Sequence, residues 1–153
     1  MIRLGGNLGP WSIDTVSAGG TSLPDQPITI ANTDVSGVVI TLTDRAGSIS
    51  GSVRDTKGGL DSTATVLVFP ANRALWVDTS ANPRRLRSTR VSTRGAWQID
   101  NLPAGDYVAL AIDDRFSADW QRPDRLDSLS RSGTHVTLSA EKRTLDLTTQ
   151  VVR

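Results

Sequence analysis

Alternation of apolar and polar residues predicts several strands in the second two-thirds of the chain. In residues 48–54, Ile49 and Val53 alternate with serine and arginine, which is the pattern of a half-buried strand. Trp97 and Ile99 alternate with polar neighbours in the same way. Both segments are therefore expected to place one face in a core and the other in solvent.

Two continuous apolar runs predict strands that are buried on both faces. The first covers residues 64–69 and stops at Pro70, and the second covers residues 107–112. Glycine-containing turns are predicted at residues 55–59 and 102–106, because glycine adopts the positive φ that tight turns need. The pattern is that of many short strands joined by tight turns.

Two hairpins are predicted from turn residues between strand patterns. Residues 85–92 are polar but compatible with a strand, and Thr93-Arg94-Gly95 predicts a turn into the strand that contains Trp97. Near the end of the chain, residues 135–139 and 144–152 flank a turn and predict the second hairpin.

One short helix is predicted near residues 123–131. Pro123 suits a first helical position, Leu126 and Leu129 are three residues apart, and Gly133 can end the helix. Composition agrees with little helix elsewhere, because only one of the 16 acidic residues is glutamate and only two of the 17 basic residues are lysine. The predicted fold class is an all-β sandwich with one short helix.

An internal repeat indicates two modules. Residues 28–30 and 40–43 resemble residues 136–138 and 145–148 in their alternation of threonine with large apolar residues.

The repeat divides the chain into residues 1–45, a β-rich partial module or the C-terminal part of a preceding repeat, and residues 46–153, a whole module. A half sandwich leaves strand edges uncovered, so neighbouring domains of a longer parent chain are the expected partners. The sequence leaves open whether Met1 is the true start or an internal methionine. The first six residues carry no apolar segment of a signal peptide.

Composition excludes several function classes. A net charge of +1 provides no field for nucleic acid, and no apolar run approaches the roughly 20 residues of a membrane helix, so neither nucleic-acid binding nor membrane insertion is expected. The absence of cysteine removes thiolate catalysis and cysteine-ligated metal. The basic run at residues 84–94 contains no aromatic residue for base stacking and is interpreted as a solvated strand face that pairs with aspartates.

No catalytic constellation is visible in the sequence. His135 is the sole histidine and is predicted on an exposed strand face, and Glu141 is the sole glutamate, so neither a serine–histidine relay nor a glycosidase pair is supported. Asp113-Asp114, with Asp119 nearby, offers oxygen ligands for calcium, but a helix cap is the favoured interpretation. No enzyme activity, catalytic residue, metal or cofactor is predicted.

Several segments together resemble a known family. They are Gly-Ser-Val-Arg-Asp at residues 51–55, the Gly58-Gly59 turn, the strand at residues 66–70, and Gly-Ala-Trp-Gln-Ile-Asp-Asn-Leu-Pro-Ala-Gly-Asp-Tyr at residues 95–107. This pattern resembles the carboxypeptidase regulatory-like domain, of the type found in tandem in large secreted acidobacterial proteins. The likeness covers roughly residues 46–150.

The resemblance implies a transthyretin-like sandwich of about seven strands, related to the carbohydrate-binding-like fold. It also implies a non-catalytic accessory or structural module of a larger extracytoplasmic bacterial protein. Carbohydrate binding is the alternative function, with polysaccharide as the partner and Trp76 and Trp120 as exposed platforms for sugar rings. A third interpretation is a regulatory domain that stabilises a peptidase neighbour.

Overall fold

The computed structural model describes residues 11–22, 34–76 and 84–151. Within those ranges the chain forms eleven strands and one α-helix. In chain order they are β1 Ser12–Ala18, β2 Thr21–Ser22, β3 Val39–Thr43, β4 Gly47–Arg54, β5 Ala64–Pro70, β6 Arg87–Arg90, β7 Ala96–Leu102, β8 Gly105–Asp113, α1 Pro123–Ser130, β9 Thr134–Leu138, β10 Lys142–Thr144 and β11 Leu147–Gln150. The predicted all-β chain with one short helix is confirmed.

The first three strands form a separate sheet in the order β2-β1-β3. Arg84 links this sheet to the rest of the molecule, because its guanidinium donates to the carbonyl oxygens of Ile13 and Asp14. Residues 28–30 of the predicted repeat lie outside the described residues, and the division at residues 45 and 46 stays a prediction.

The remaining strands form a sandwich of two layers. In one layer, β4 pairs antiparallel with β7 and parallel with β10. In the other, β5 lies between β6 and β8, and β9 pairs with the first half of β8, all antiparallel. Apolar side chains from both layers, including Ile49, Val66, Trp97 and Ala109, form one buried core between them.

The two central strands are buried on both faces, as their unbroken apolar runs predict. In β8, Tyr107 and Ala109 face the core between the layers, whereas Val108 and Leu110 face a second core on the other side. The helix α1 covers this second core. Leu126 and Leu129 of this helix are one helical turn apart and lie on the same face. That apolar face is buried against the second core, as the spacing of the two leucines predicts.

The last strand joins the two layers. β10 and β11 keep one parallel register against β4, from Lys142 beside Ser48 to Thr148 beside Arg54, and are separated at residues 145–146. β11 then pairs with the second half of β8, at Thr149 beside Ala111. Because this strand is divided, residues 47–76 and 84–150 form eight strands rather than the expected seven or so.

Both predicted hairpins are wrong in their pairing. The turn at Thr93-Arg94-Gly95 is tight, with Ser92 N donating to Ala96 O at 2.8 Å, yet β6 pairs with β5 and β7 pairs with β4. Likewise β9 pairs with β8, whereas β10 pairs with β4. In both places the chain crosses from one layer to the other, so the strands on either side of the turn pair with different neighbours.

Candidate functional site

The predicted sugar-binding indoles both lie beside Phe69, at the second core. Phe69 is the outward-facing residue near the end of β5, and it is fully buried. Its ring centroid lies 6.0 Å from that of Trp76, edge-on at 75°, and 6.2 Å from that of Trp120, tilted at 45°. Such separations and tilts are those of stabilising aromatic pairs in protein interiors. The structure thus brings the two indoles together through a shared neighbour.

Trp120 is only 6% exposed, enclosed between α1 and the outer face of β5 and β8. It follows Asp119, whose φ of 52° places that residue in the left-handed region that aspartate tolerates better than most residues. The expectation that Trp120 is an exposed platform is therefore wrong. The helix that the sequence predicts correctly is also the element that covers this indole.

Trp76 is half-buried, and its polar edge is already used. Its Nε1 donates to the carbonyl oxygen of Pro70 at 2.7 Å, and the guanidinium of Arg73 lies 5.6 Å from the ring centroid. A cation over the ring occupies the kind of surface that a sugar ring would need. Trp76 and Trp120 therefore do not form a pair of coplanar exposed rings.

A short 3₁₀ turn and an ion-pair bridge hold Trp76 in place. The turn Arg73–Leu75 is capped by Asn72, whose Oδ1 accepts from Ala74 N at 3.0 Å. Arg73 also pairs with Asp127 of α1, which pairs in turn with Arg131 at 3.0 Å. The turn that carries Trp76 is thereby tied to the helix that covers Trp120.

A shallow cleft of about 440 Å³ lies at one end of the sandwich, beside the end of β8. Its charged residues are Arg90, Asp113, Asp114 and Arg115. The Arg115 guanidinium donates two hydrogen bonds to the Asp113 carboxylate, from Nε at 3.0 Å and from Nη2 at 2.8 Å. The backbone N–H of Arg115 donates a third to the same carboxylate. The side-chain bond from Arg115 and then this backbone bond lower the pKa of Asp113 to about 2. Asp113 caps a 3₁₀ turn, which confirms the cap interpretation of this residue.

Asp114 is held by a second set of partners. It accepts a 2.6 Å bond from Thr65 Oγ1 and pairs with Arg90 at 2.5 Å. The hydrogen bond from Thr65, together with the charge of Arg90, lowers the pKa of Asp114. Within residues 11–22, 34–76 and 84–151, no group of three or more His, Cys, Asp or Glu side chains is arranged to hold a metal ion.

The arginines of the basic run have different partners. Arg90 pairs with an aspartate, as predicted. Arg85 instead donates to the carbonyl oxygen of Ala104 and to the hydroxyl of Tyr107, at 2.9 and 3.0 Å. His135 lies on the exposed strand β9, as predicted. Sequence reasoning missed the Arg85–Tyr107 bond, because the two residues come together only when β8 returns beside the loop before β6.

Asp146 is a further residue that the sequence analysis missed. It lies between β10 and β11, and its Oδ1 accepts from both the backbone N–H and the hydroxyl of Ser52, each at 2.8 Å. These two bonds, the backbone bond first, lower the pKa of Asp146. No local signal points to Asp146, because the sequence pattern predicts one continuous strand over residues 144–152.

No helix in the described part of the chain is both long and apolar enough to cross a membrane.

Comparison with known proteins leaves the family open. No family model and no curated protein matches the chain. Solved structures do match. The TIE protein of Bacillus anthracis is 18% identical over 77% of this chain and 19% of its own, with a TM-score of 0.43. BcpA, the major pilin subunit of Bacillus cereus, is 14% identical over 74% of this chain and 32% of its own, with a TM-score of 0.41.

A third match is a candidate carbohydrate-binding protein of Pseudomonas aeruginosa, 15% identical over 67% of this chain and 88% of its own, with a TM-score of 0.39. This chain thus spans about a fifth of the TIE protein and about a third of the pilin.

Proposed function

We propose that residues 46–153 form a non-catalytic structural module that acts as a spacer in a larger extracytoplasmic bacterial protein. The main support for this proposal is the direction in which the first and last strands of the module run. β4 opens the sandwich and β10–β11 closes it, and the two run parallel and side by side. The backbone therefore enters at Gly47 and leaves after Gln150 at the opposite end, about 30 Å away at about 3.3 Å per residue.

Separation of the two connection points is what a spacer requires. When the chain enters a domain at one end and leaves at the other, the neighbouring domains are separated by the length of that domain. When the two termini of a domain lie close together, the domain adds little to that separation. The resemblance of residues 46–150 to the carboxypeptidase regulatory-like domain supports the same function and is the basis for the extracytoplasmic location.

The aspartates that the sequence offered for calcium, and one of the two indoles that it offered for sugar, are engaged within the fold. Asp113 and Asp114 are held by arginines, and Trp120 is buried. Carbohydrate binding, the alternative from the sequence, lacks its second predicted platform, since of Trp76 and Trp120 only Trp76 is partly exposed.

Small-angle X-ray scattering of two copies of the chain fused end to end tests the spacer. We expect the maximum dimension to grow by about one module length relative to the single chain. A fused pair that folds back on itself, with little increase in maximum dimension, would contradict the proposal. The single chain measured under the same conditions is the control.

Tryptophan fluorescence titration against soluble polysaccharides tests the alternative. The spacer function predicts no saturable change for the intact chain. A saturable change that disappears in Trp76→Ala, in a variant that retains its circular dichroism spectrum, would establish a carbohydrate-binding module instead.

A further inference from the structure

We propose that β4 and β10–β11 act as a mechanical clamp that makes the sandwich resistant to being pulled open from its two ends. This inference rests on the proposed spacer function and adds a physical task to it, the transmission of tension along the parent chain. It follows from how the two strands are oriented and bonded.

Parallel pairing of the opening and closing strands sets the direction of the load. Tension at Gly47 pulls β4 toward its start, and tension after Gln150 pulls β11 toward its end. The two strands are thus pulled past each other along their length. Their hydrogen bonds, which are evenly spaced in a parallel pair, then share the load and must break together.

The bonding of the clamp continues through the interruption between β10 and β11. Leu145 N donates to Ser50 O at 2.8 Å. One position further, the carboxylate of Asp146 takes the place of a backbone acceptor and receives both bonds of Ser52. Gly51 lies between these two contacts, where a Cβ would come within 1.9 Å of the carbonyl oxygen of Leu145. The close passage of the two strands at this point requires glycine.

Both clamp strands are anchored in the sandwich by other partners. β4 pairs along its other edge with β7. The end of β11 pairs with β8, and Thr149 donates to the carboxylate of Asp61 at 2.6 Å. The closing strand is therefore bonded to both layers, and pulling it free breaks contacts in each.

Single-molecule force spectroscopy on the full chain, with two attachment geometries, tests the clamp. The sequence contains no cysteine, so introduced cysteines give unique handles. Arg45→Cys with Val151→Cys loads the two strands along their length. Lys57→Cys with Val151→Cys, which places both handles at the same end of the pair, opens it one bond at a time. We expect a peak unfolding force about twofold or more higher in the first geometry, because forced unfolding reports the barrier along the pulled direction.

Two aspartate variants test whether the strand pair β4 and β10–β11 determines the peak unfolding force. Asp146→Ala removes the two hydrogen bonds that Ser52 donates within the clamp and is expected to lower the peak force in the first geometry. Asp106→Ala is the matched control, because it removes one aspartate bond, to Thr137 at 2.6 Å, between β8 and β9 and outside the clamp. It is expected to leave that force unchanged.

Equal peak forces in the two geometries would overturn the clamp, provided that both double-cysteine variants unfold with the same free energy in denaturant. That result would leave the scattering experiment on the fused pair to decide the spacer function separately. A fall in peak force for Asp106→Ala as large as that for Asp146→Ala would also contradict the assignment of the clamp to β4 and β10–β11.

Discussion

The hydroxyl of Tyr107 donates a 2.6 Å hydrogen bond to the carbonyl oxygen of Pro103, four residues earlier in the chain. The same hydroxyl accepts a bond from Arg85 at 3.0 Å, and the tyrosine ring is fully buried in the core between the layers. The turn between these residues contains Gly105, with a φ of 151°. The Tyr107 side chain therefore packs in the core and also stabilises the turn between β7 and β8.

Tyr107→Phe is expected to destabilise the chain by about 1–3 kcal/mol, because it keeps the buried ring but removes two hydrogen bonds, one to the carbonyl oxygen of Pro103 and one from Arg85. Urea unfolding followed by tryptophan fluorescence measures the change. A free energy of unfolding within about 0.5 kcal/mol of the parent would show that the hydroxyl has no structural role.

Gly51→Ala is expected to be severely destabilising, by about 3 kcal/mol or more, because a Cβ would collide with the backbone at Leu145. Gly58→Ala is the matched control. Its Cβ meets nothing within 4 Å, so only the positive φ of 88° opposes it, at a cost of about 1–2 kcal/mol. Equal losses of unfolding free energy for the two variants in denaturant would contradict the close strand passage at Gly51.

Trp120→Ala is expected to cost about 3–5 kcal/mol, as truncation of a buried aromatic side chain usually does. Trp76→Ala should cost less, about 1–2 kcal/mol, because the ring is half-buried and loses one hydrogen bond to Pro70. Thermal unfolding of both variants gives the ranking. A larger loss for Trp76 than for Trp120 would show that the second core is organised differently.

Acid is expected to destabilise the chain between about pH 4 and pH 2 through aspartates that are hydrogen-bonded in the folded state. Asp113 shows the sign: its folded pKa is lowered from 3.8 to about 2, so its stabilising contribution is complete above pH 3.8 and is lost as the pH falls toward 2. Asp61, Asp114 and Asp146 shift in the same direction.

Unfolding midpoints measured from pH 7 to pH 2 test this dependence. Asp113→Asn should flatten the decline at acid pH relative to the parent chain, because asparagine does not titrate. Equal slopes for the parent and Asp113→Asn would contradict a role for this group.

Much of the fold could be predicted from local sequence patterns. The strand at residues 64–70, the helix from Pro123 and the turn before Tyr107 were predictable because each depends on neighbours within a few residues. Alternation likewise placed Trp97 in the core, where it is 4% exposed.

The candidate site was far less predictable. The positions of Trp76 and Trp120 in flanking loops follow from the sequence, but their exposure depends on whether α1 lies over the outer face of the sheet. The bond between Ser52 and Asp146 joins residues 94 positions apart, and nothing in either local segment indicates it.

By itself the sequence determined the elements, namely the short strands, the helix from Pro123 and the tight glycine turns, because periodicity and turn chemistry act over a few residues. Only the tertiary structure decided which strands pair, that the closing strand lies parallel to the opening one, and that Trp120 is covered. A strand with one apolar face fits several partners equally well locally, and the choice among them is made by the packing of the whole core.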